Sequence, residues 1–284
     1  MSIATPFDIP QSQSRKPPVV LTIAGFDPSS GAGITADLQV FAAHGLFGTA
    51  CITALTVQST QGVASVEPVS HLIAPTLSHL DADLPPAGIK IGMLGSAEAV
   101  LAVAAYLRQR KGPKIPVVLD PVILSSSGTS LLDRDGLDVL VRRLLPLVDW
   151  ITPNTAELAA LTRFRVDRDD AIAPLLRALH FHNRHLHIVA TGGELDAPTD
   201  TLLTPAGELY RFEGEKIDTT STHGTGCAFS SALLAQLVLG YAPQDAVTAA
   251  KSYVTEALRR APGLGQGRGP LNLLWPLQGQ TFTT

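Results

Sequence analysis

Short apolar runs alternate with longer stretches of helical spacing along most of the chain. Residues 18–24 (PVVLTIA) are rich in β-branched side chains and read as a buried strand. Residues 34–44 keep helical spacing and stop at Gly45. The pattern then repeats. Strands are predicted over 47–58, 88–93, 117–120, 149–152 and 186–190. Helices are predicted over 72–84, 97–110, 134–145, 154–161, 170–182, 225–239 and 243–260. Residues 62–69 alternate like a strand of a flap or lid, and 201–203 with 209–212 read as a hairpin. Strands that alternate with helices build βαβ units, so the fold class is α/β: a mainly parallel central sheet with helices on both faces. Ligands of such sheets bind at the carboxyl ends of strands. The loops to search are therefore 25–33, 58–60, 120–128, 152–157 and 191–193.

Residues 1–17 are polar and proline-bearing and read as a disordered tail, with 18–284 as a single domain. The last stretch, 262–284, is rich in glycine and proline and carries Leu271, Leu273, Leu274 and Trp275, which are available to dock on the domain. The chain has 284 residues, 45% hydrophobic and 16% charged, and a net charge of -4. That length supports one large core or two small ones. The charge and the lack of a basic cluster argue against a nucleic-acid partner. Cys51 and Cys227 lack metal-ligand spacing and allow at most one disulfide, which fits a reduced, cytoplasmic setting. No signal-like segment opens the chain and no apolar run is long enough to span a bilayer, so no membrane partner is expected.

Candidate chemistry concentrates at Thr222-His223-Gly224-Thr225-Gly226-Cys227, where an irregular loop becomes a helix. The first amides of a helix have no internal partner, and with the helix dipole they attract an anion. Glycine lets a phosphate approach the backbone. A thiol in that first turn is expected to be drawn down from about 8.5 toward neutrality, as suits a general base. A glycine loop capping a buried helix, with Cys227 as a small core residue, accounts for the same letters. Gly31-Ala32-Gly33-Ile34-Thr35-Ala36 matches a dinucleotide fingerprint, but no acid lies between Asp37 and Glu67, where that motif needs one. A P-loop lysine is absent too. What remains is a flexible loop carrying Asp27, followed by Asp37, which locally reads as solvating the first turn of its helix.

Asp120 closes a strand, where a carboxylate either orients a metal and its waters or caps a loop. Asn154 and Glu157 share one helix face and also fit a capping pattern. Gln58 has one donor end and one acceptor end, which suits an amino-substituted pyrimidine edge as well as a plain strand end. His180, His182, His185 and His187 read as a solvated cluster; His223 stands apart inside the glycine loop.

Taken in order, these pieces run nearly the length of the chain. They are Ala24-Gly25-Phe26-Asp27-Pro28-Ser29-Ser30-Gly31-Ala32-Gly33, Ala36-Asp37-Leu38, Ile52 through Thr60, Lys90-Ile91-Gly92-Met93-Leu94, Leu119-Asp120-Pro121-Val122, Thr152 through Glu157 and Thr222 through Cys227. The set resembles the hydroxymethylpyrimidine/phosphomethylpyrimidine kinases of thiamine biosynthesis, in the ribokinase-like superfamily. The resemblance implies Gly224, Thr225, Gly226 and Cys227 as the anion hole, with Cys227 the base. It implies Gln58, Asp37 and the backbone at Gly25 on an aminopyrimidine, with Val57, Met93 and Val122 around its ring. It implies ATP beside Asn154, Thr191, Gly193, Gly224 and Gly226, Mg²⁺ beside Asp120 and Glu157 with Asn154 in its shell, and a homodimer to which residues 62–69 contribute. Two positions depart from the family pattern: Thr191 stands where lysine is usual before Gly192-Gly193, and Phe26 and Ser30 alter the first loop. A pyridoxal or pyridoxine kinase of the same superfamily is the nearest rival, and a pyrimidine-binding sensor with little turnover is another.

Overall fold

The computed structural model describes residues 16–124, 130–164, 172–193 and 198–278. The tail expected over 1–17 lies almost wholly outside them, as does much of the loop 120–128. One nine-stranded sheet organises what is described. Its parallel part runs in the order β2 (Phe47–Ser59), β1 (Val19–Phe26), β4 (Ile89–Ile91), β5 (Val117–Leu119), β6 (Trp150–Ile151) and β7 (His187–Ala190). At one edge β3 (Gly62–Pro68) pairs antiparallel with β2. At the other, β8 (Asp200–Leu203) and β9 (Leu209–Phe212) extend the sheet antiparallel.

Successive strand residues enter opposite cores, which is why the strands read as continuous apolar runs. Leu21, Ile23, Leu119, Ile151 and Ile188 face one core. It is closed by α2 (Ile73–Asp83), α3 (Ala97–Gln109), α5 (Thr155–Thr162) and α6 (Ile172–His182). Val20, Val118, Trp150 and Val189 face the other. That core is closed by α1 (Gly33–Ala43), α7 (Thr225–Val238) and α8 (Pro243–Arg259). Each fully buried Leu or Ile contributes about 1.5–3 kcal/mol. Helix α7 is buried without a break from Ala228 to Gln236, so it has no polar face to show. Helix α4 (Arg134–Val139) is shorter than the pattern predicts: it continues as a π turn over Leu140–Leu144, and Pro146 then stops regular helix.

Two details of the fold matter for the site. A register shift between β1 and β2 puts Thr53 and Ala54 both inside and reverses the alternation of β2. Before it Ile52 is exposed; after it Leu55 and Val57 are exposed, while Thr56 and Gln58 share the other face. The end of the chain also docks on α8, as its apolar residues predict. Leu271 and Leu273 are buried, the Tyr253 hydroxyl donates to Leu273 O, and Trp275 Nε1 donates to Tyr253 O at 3.2 Å. Leu274 is the exception and stays exposed. The four histidines expected as one solvated cluster divide: His182 and His185 are exposed, whereas His187 stacks on Trp150 at 4.0 Å.

Candidate active site

The head of α7 is built on Gly224, the residue before its first turn. Gly224 has φ 84°, and a Cβ there would lie 1.9 Å from Gly31 O. Both facts restrict the position to glycine. No side chain caps the helix. The ladder begins with Ala228 N donating to Gly224 O at 2.8 Å, so the amides of Thr225, Gly226 and Cys227 have no intrahelical acceptor. Gly226 is exposed. Uncapped amides, a bare glycine and the positive end of the dipole together make an anion seat.

Beneath that seat lies a buried polar cluster. Cys227, Ser230 and Ser231 fall on one face of α7 by helical spacing. Ser230 Oγ donates to Asp120 Oδ2 at 3.1 Å, and Ser231 Oγ to Asp37 Oδ1 at 2.8 Å. Lys90 Nζ donates to both oxygens of Asp37 at 3.0 and 2.9 Å, and Thr22 Oγ1 adds a fourth bond at 2.6 Å. Asp37 and Lys90 are both 0% exposed. Two sequence expectations for Asp37 fail on this geometry. It neither solvates a helix end nor reaches a substrate ring, because its carboxylate is spent inside the core. Lys90 escaped the sequence reading as a functional candidate. Its signal was a lysine amid the apolar strand residues Ile89 and Ile91, and a central-strand lysine is buried only when paired.

The charges in this cluster set its proton affinities. Burial lowers Lys90, but Asp37 foremost outweighs it and holds the ammonium above its ordinary value. Burial raises Asp120, against the opposing pull of Lys90 and of the Ser230 hydrogen bond. Cys227 is pushed up to about 12, by burial first and then by the nearby carboxylates Asp120 and Asp37, with Lys90 opposing. The expected drift of this thiol toward neutrality is thus reversed. The helix end does not offset lost hydration beside two carboxylates whose cation is already engaged.

The other side of the crevice belongs to the first loop and β2. Gly25 packs on the Met93 thioether, and Met93 joins Ala54, Leu131, Val66 and Val122 in a small apolar cluster. Thr56 Oγ1 lies 3.2 Å from Gln58 Oε1, and Gln58 Nε2 lies 2.9 Å from His223 Nε2. His223 Nε2 is in turn 2.8 Å from Asp27 Oδ2. The loop expected to be flexible is knotted around Asp27, which also accepts from Ser29 N, Ser29 Oγ and Ala32 N at 2.8, 2.7 and 2.9 Å. Val57 is 63% exposed and lies on the opposite face of β2 from Gln58. The expected ring contact from Val57 is therefore not available within this chain. A cavity of about 200 Å³ opens beside Gln58 and His223, walled by the β2–β3 tip and by Gly267 and Arg268. Cys227 and Asp120 do not line it; His223 links the two sides. Gly267 N donates to Thr60 Oγ1 at 3.4 Å, Gln61 Nε2 to Gln266 Oε1 at 3.3 Å, and His223 N to Gly269 O at 3.0 Å.

On the far side, Asn154 and Glu157 form a reciprocal capping box at the start of α5, with bonds of 2.9 and 3.0 Å. Glu157 is 6% exposed. Asn154 bridges in parallel to Thr191, whose amide donates to Pro153 O at 2.9 Å. These residues therefore sit together at the carboxyl ends of β6 and β7. Gly193 follows, exposed and open.

The model of the phosphomethylpyrimidine kinase family matches residues 27–272. The chain belongs to that family. A hydroxymethylpyrimidine/phosphomethylpyrimidine kinase of Haemophilus influenzae is 40% identical over 258 residues, covering 89% of this chain and 95% of that one. A thiamine biosynthesis bifunctional protein of Geobacter sulfurreducens is 37% identical over 254 residues, 89% of this chain and 51% of its own length. Among solved structures, an ADP complex of Bacillus subtilis pyridoxal kinase superposes with a TM-score of 0.80 at 29% identity, covering 90% of this chain and 96% of that one. Membership of the phosphomethylpyrimidine kinase family makes this chain a kinase, and the α/β sheet described above is the fold it shares with these relatives.

Proposed function

We propose that the chain transfers the γ-phosphoryl group of ATP to the hydroxymethyl oxygen of 4-amino-5-hydroxymethyl-2-methylpyrimidine, and then a second phosphoryl group to that monophosphate, in thiamine biosynthesis. One observation carries the reading: an uncapped glycine-built helix end is joined through His223 to the amide of Gln58. The first group suits a migrating phosphoryl and the second suits an aminopyrimidine edge. The activities for which the H. influenzae and G. sulfurreducens relatives are named agree with it.

Phosphoryl transfer depends on positioning and charge neutralisation more than on covalent chemistry. The alcohol oxygen attacks the γ-phosphorus, the bond to the β-phosphate oxygen breaks, and ADP leaves. Amides at Thr225, Gly226 and Cys227 hold the charge that develops on the moving group. Asn154, Thr191 and Gly193 hold the nucleotide beside Gly224 and Gly226. Among the described residues no group of three His, Cys, Asp or Glu could hold a metal ion, so a cation here would take one or two carboxylates, with phosphates and water completing it. That fits Mg²⁺, whose waters Asp120 and Glu157 would orient, with Asn154 beside them, and which would neutralise phosphate charge.

A thiol held near 12 is not a resting thiolate. Asp120 accepts the hydrogen bond of Cys227, and burial raises its proton affinity. The alcohol proton therefore passes to Cys227 Sγ as the thiol proton passes to Asp120. The second transfer needs less help, because a phosphate monoester has its second pKa near about 6 and is already ionised.

Ile52, Leu55 and Val57 form an apolar outer face on β2 that suits a second copy of this chain, with β3 beside it. Two free cysteines suit a reduced, cytoplasmic setting. A second reading, pyridoxal phosphorylation, draws on the likeness to the B. subtilis structure. ADP release measured with hydroxymethylpyrimidine, its monophosphate, pyridoxal and pyridoxine tests both. The pyrimidines should give the highest kcat/KM. A preference for pyridoxal, or saturable binding without turnover, overturns the proposal.

A further inference from the structure

We infer that His223, seated by Asp27, is a specificity-determining positioning residue that fixes which end of the Gln58 amide faces the substrate ring. The inference rests on the function proposed above. It follows from counting hydrogens along one chain of contacts.

Asp27 is 3% exposed and accepts four hydrogen bonds. Burial raises its carboxyl, but bonds from His223 and Ser29 outweigh that, and it titrates below its ordinary value. An ionised carboxylate only accepts, so His223 Nε2, at 2.8 Å, carries a hydrogen. The same nitrogen stands 2.9 Å from the Gln58 amide. The one hydrogen there, given to Asp27, can be shared with the amide oxygen in a three-centre bond, whereas it repels the NH₂. At the far end of the amide, Thr56 Oγ1 has one hydrogen and two neighbours, Phe26 O at 2.9 Å and Gln58 at 3.2 Å. Once that hydrogen goes to Phe26 O, Thr56 Oγ1 can only accept, and it needs the NH₂ of Gln58.

Both ends therefore demand Oε1 toward His223 and Nε2 toward Thr56. As placed, the amide is turned the other way, with Nε2 toward His223. The two orientations differ by a half turn and have the same shape. The Nε2 hydrogen of His223 selects between them. One lone pair and one N–H of Gln58 are then left for a ligand, in a fixed order. A ring nitrogen beside an exocyclic amine matches one order and clashes with the other. A hydroxypyridine presents a different edge.

His223 is itself held for this task. Its amide donates to Gly269 O at 3.0 Å, and its ring lies against Gly31, where a Cβ would come within 2.3 Å of Cδ2.

The test compares His223→Leu, which has no N–H, with His223→Gln, which keeps a donor near the Nε2 position. In His223→Leu the KM for hydroxymethylpyrimidine should rise roughly tenfold, and its kcat/KM advantage over pyridoxal should fall roughly tenfold, with kcat within about threefold. The KM for ATP should hold, and His223→Gln should recover most of the loss. Equal losses on both rings, a fall in kcat with KM intact, or no recovery by glutamine overturns the inference. If His223→Leu does not fold, Asp27→Asn carries the same comparison: it no longer requires a hydrogen on His223, and an unchanged ring ratio overturns the inference. A wild-type enzyme that prefers pyridoxal sinks the proposed function instead, and the inference is then judged on the pyridoxal KM of the same variants.

Discussion

Asp27 lies in the first loop and Asp37 in the helix that follows it, and both are nearly shut off from water. Their partners differ. Asp37 spends its oxygens on Lys90, Thr22 and Ser231, and every member of that group is buried. Asp27 spends one oxygen on its own loop and shares the other with His223, which leads to a half-buried amide at the edge of a cavity. One network is closed and the other is open at one end. Equal burial therefore does not mean equal purpose. A closed network fixes where α1, β4 and α7 sit, whereas an open one can pass a hydrogen-bonding choice to a ligand.

The largest effect should come from the backbone seat that the closed network supports. Gly224→Ala forces a strained φ and a clash with Gly31 O, and kcat should fall at least about 10³-fold. A single-turnover assay in folded protein checks it. Lys90→Met comes next. It leaves Asp37 buried without its cation and should cost about 3–5 kcal/mol in urea unfolding. Lys90→Met with Asp37→Leu should regain much of that; no regain would mean that the pair does more than balance charge.

Cys227→Ala should reduce transfer to the alcohol about 10²-fold, and transfer to the monophosphate much less. Equal losses remove the thiol from the proton path. Alkylation of Cys227 should stay slow at neutral pH and keep accelerating toward pH 12, since the thiol titrates only there. The smallest effect belongs to the open network. Asp27 titrates below its ordinary 3.8, so its stabilisation is present above that value and is lost as pH falls through the lower folded value. The stability gap between wild type and Asp27→Asn should be constant near neutrality and close only in acid. A gap that closes near neutral pH would contradict the assignment of an ionised Asp27.

Much of this architecture was legible in the letters. Strands and helices follow from apolar period because both faces of the sheet are covered. The glycines at 224 and 226 marked the helix head. What stayed hidden depends on contacts between distant segments. The pairing of Lys90 with Asp37 needs β4 laid against α1, and no local pattern encodes that. The exposure of Val57 turns on the shift in register at Thr53 and Ala54, which a strict alternation cannot reveal. The rise of the Cys227 thiol comes from burial first and then from carboxylates just after β5 and on α1, whereas its neighbours in sequence pointed the other way.

The latch of residues 266–269 on Thr60, Gln61 and His223 makes the cavity a joint product of two distant stretches. Every strand precedes α8, whereas Gly267 and Arg268 follow it. Excision of that glycine-rich stretch would spare the whole sheet and remove one wall of the cavity. Scaffold and pocket can therefore be lost separately.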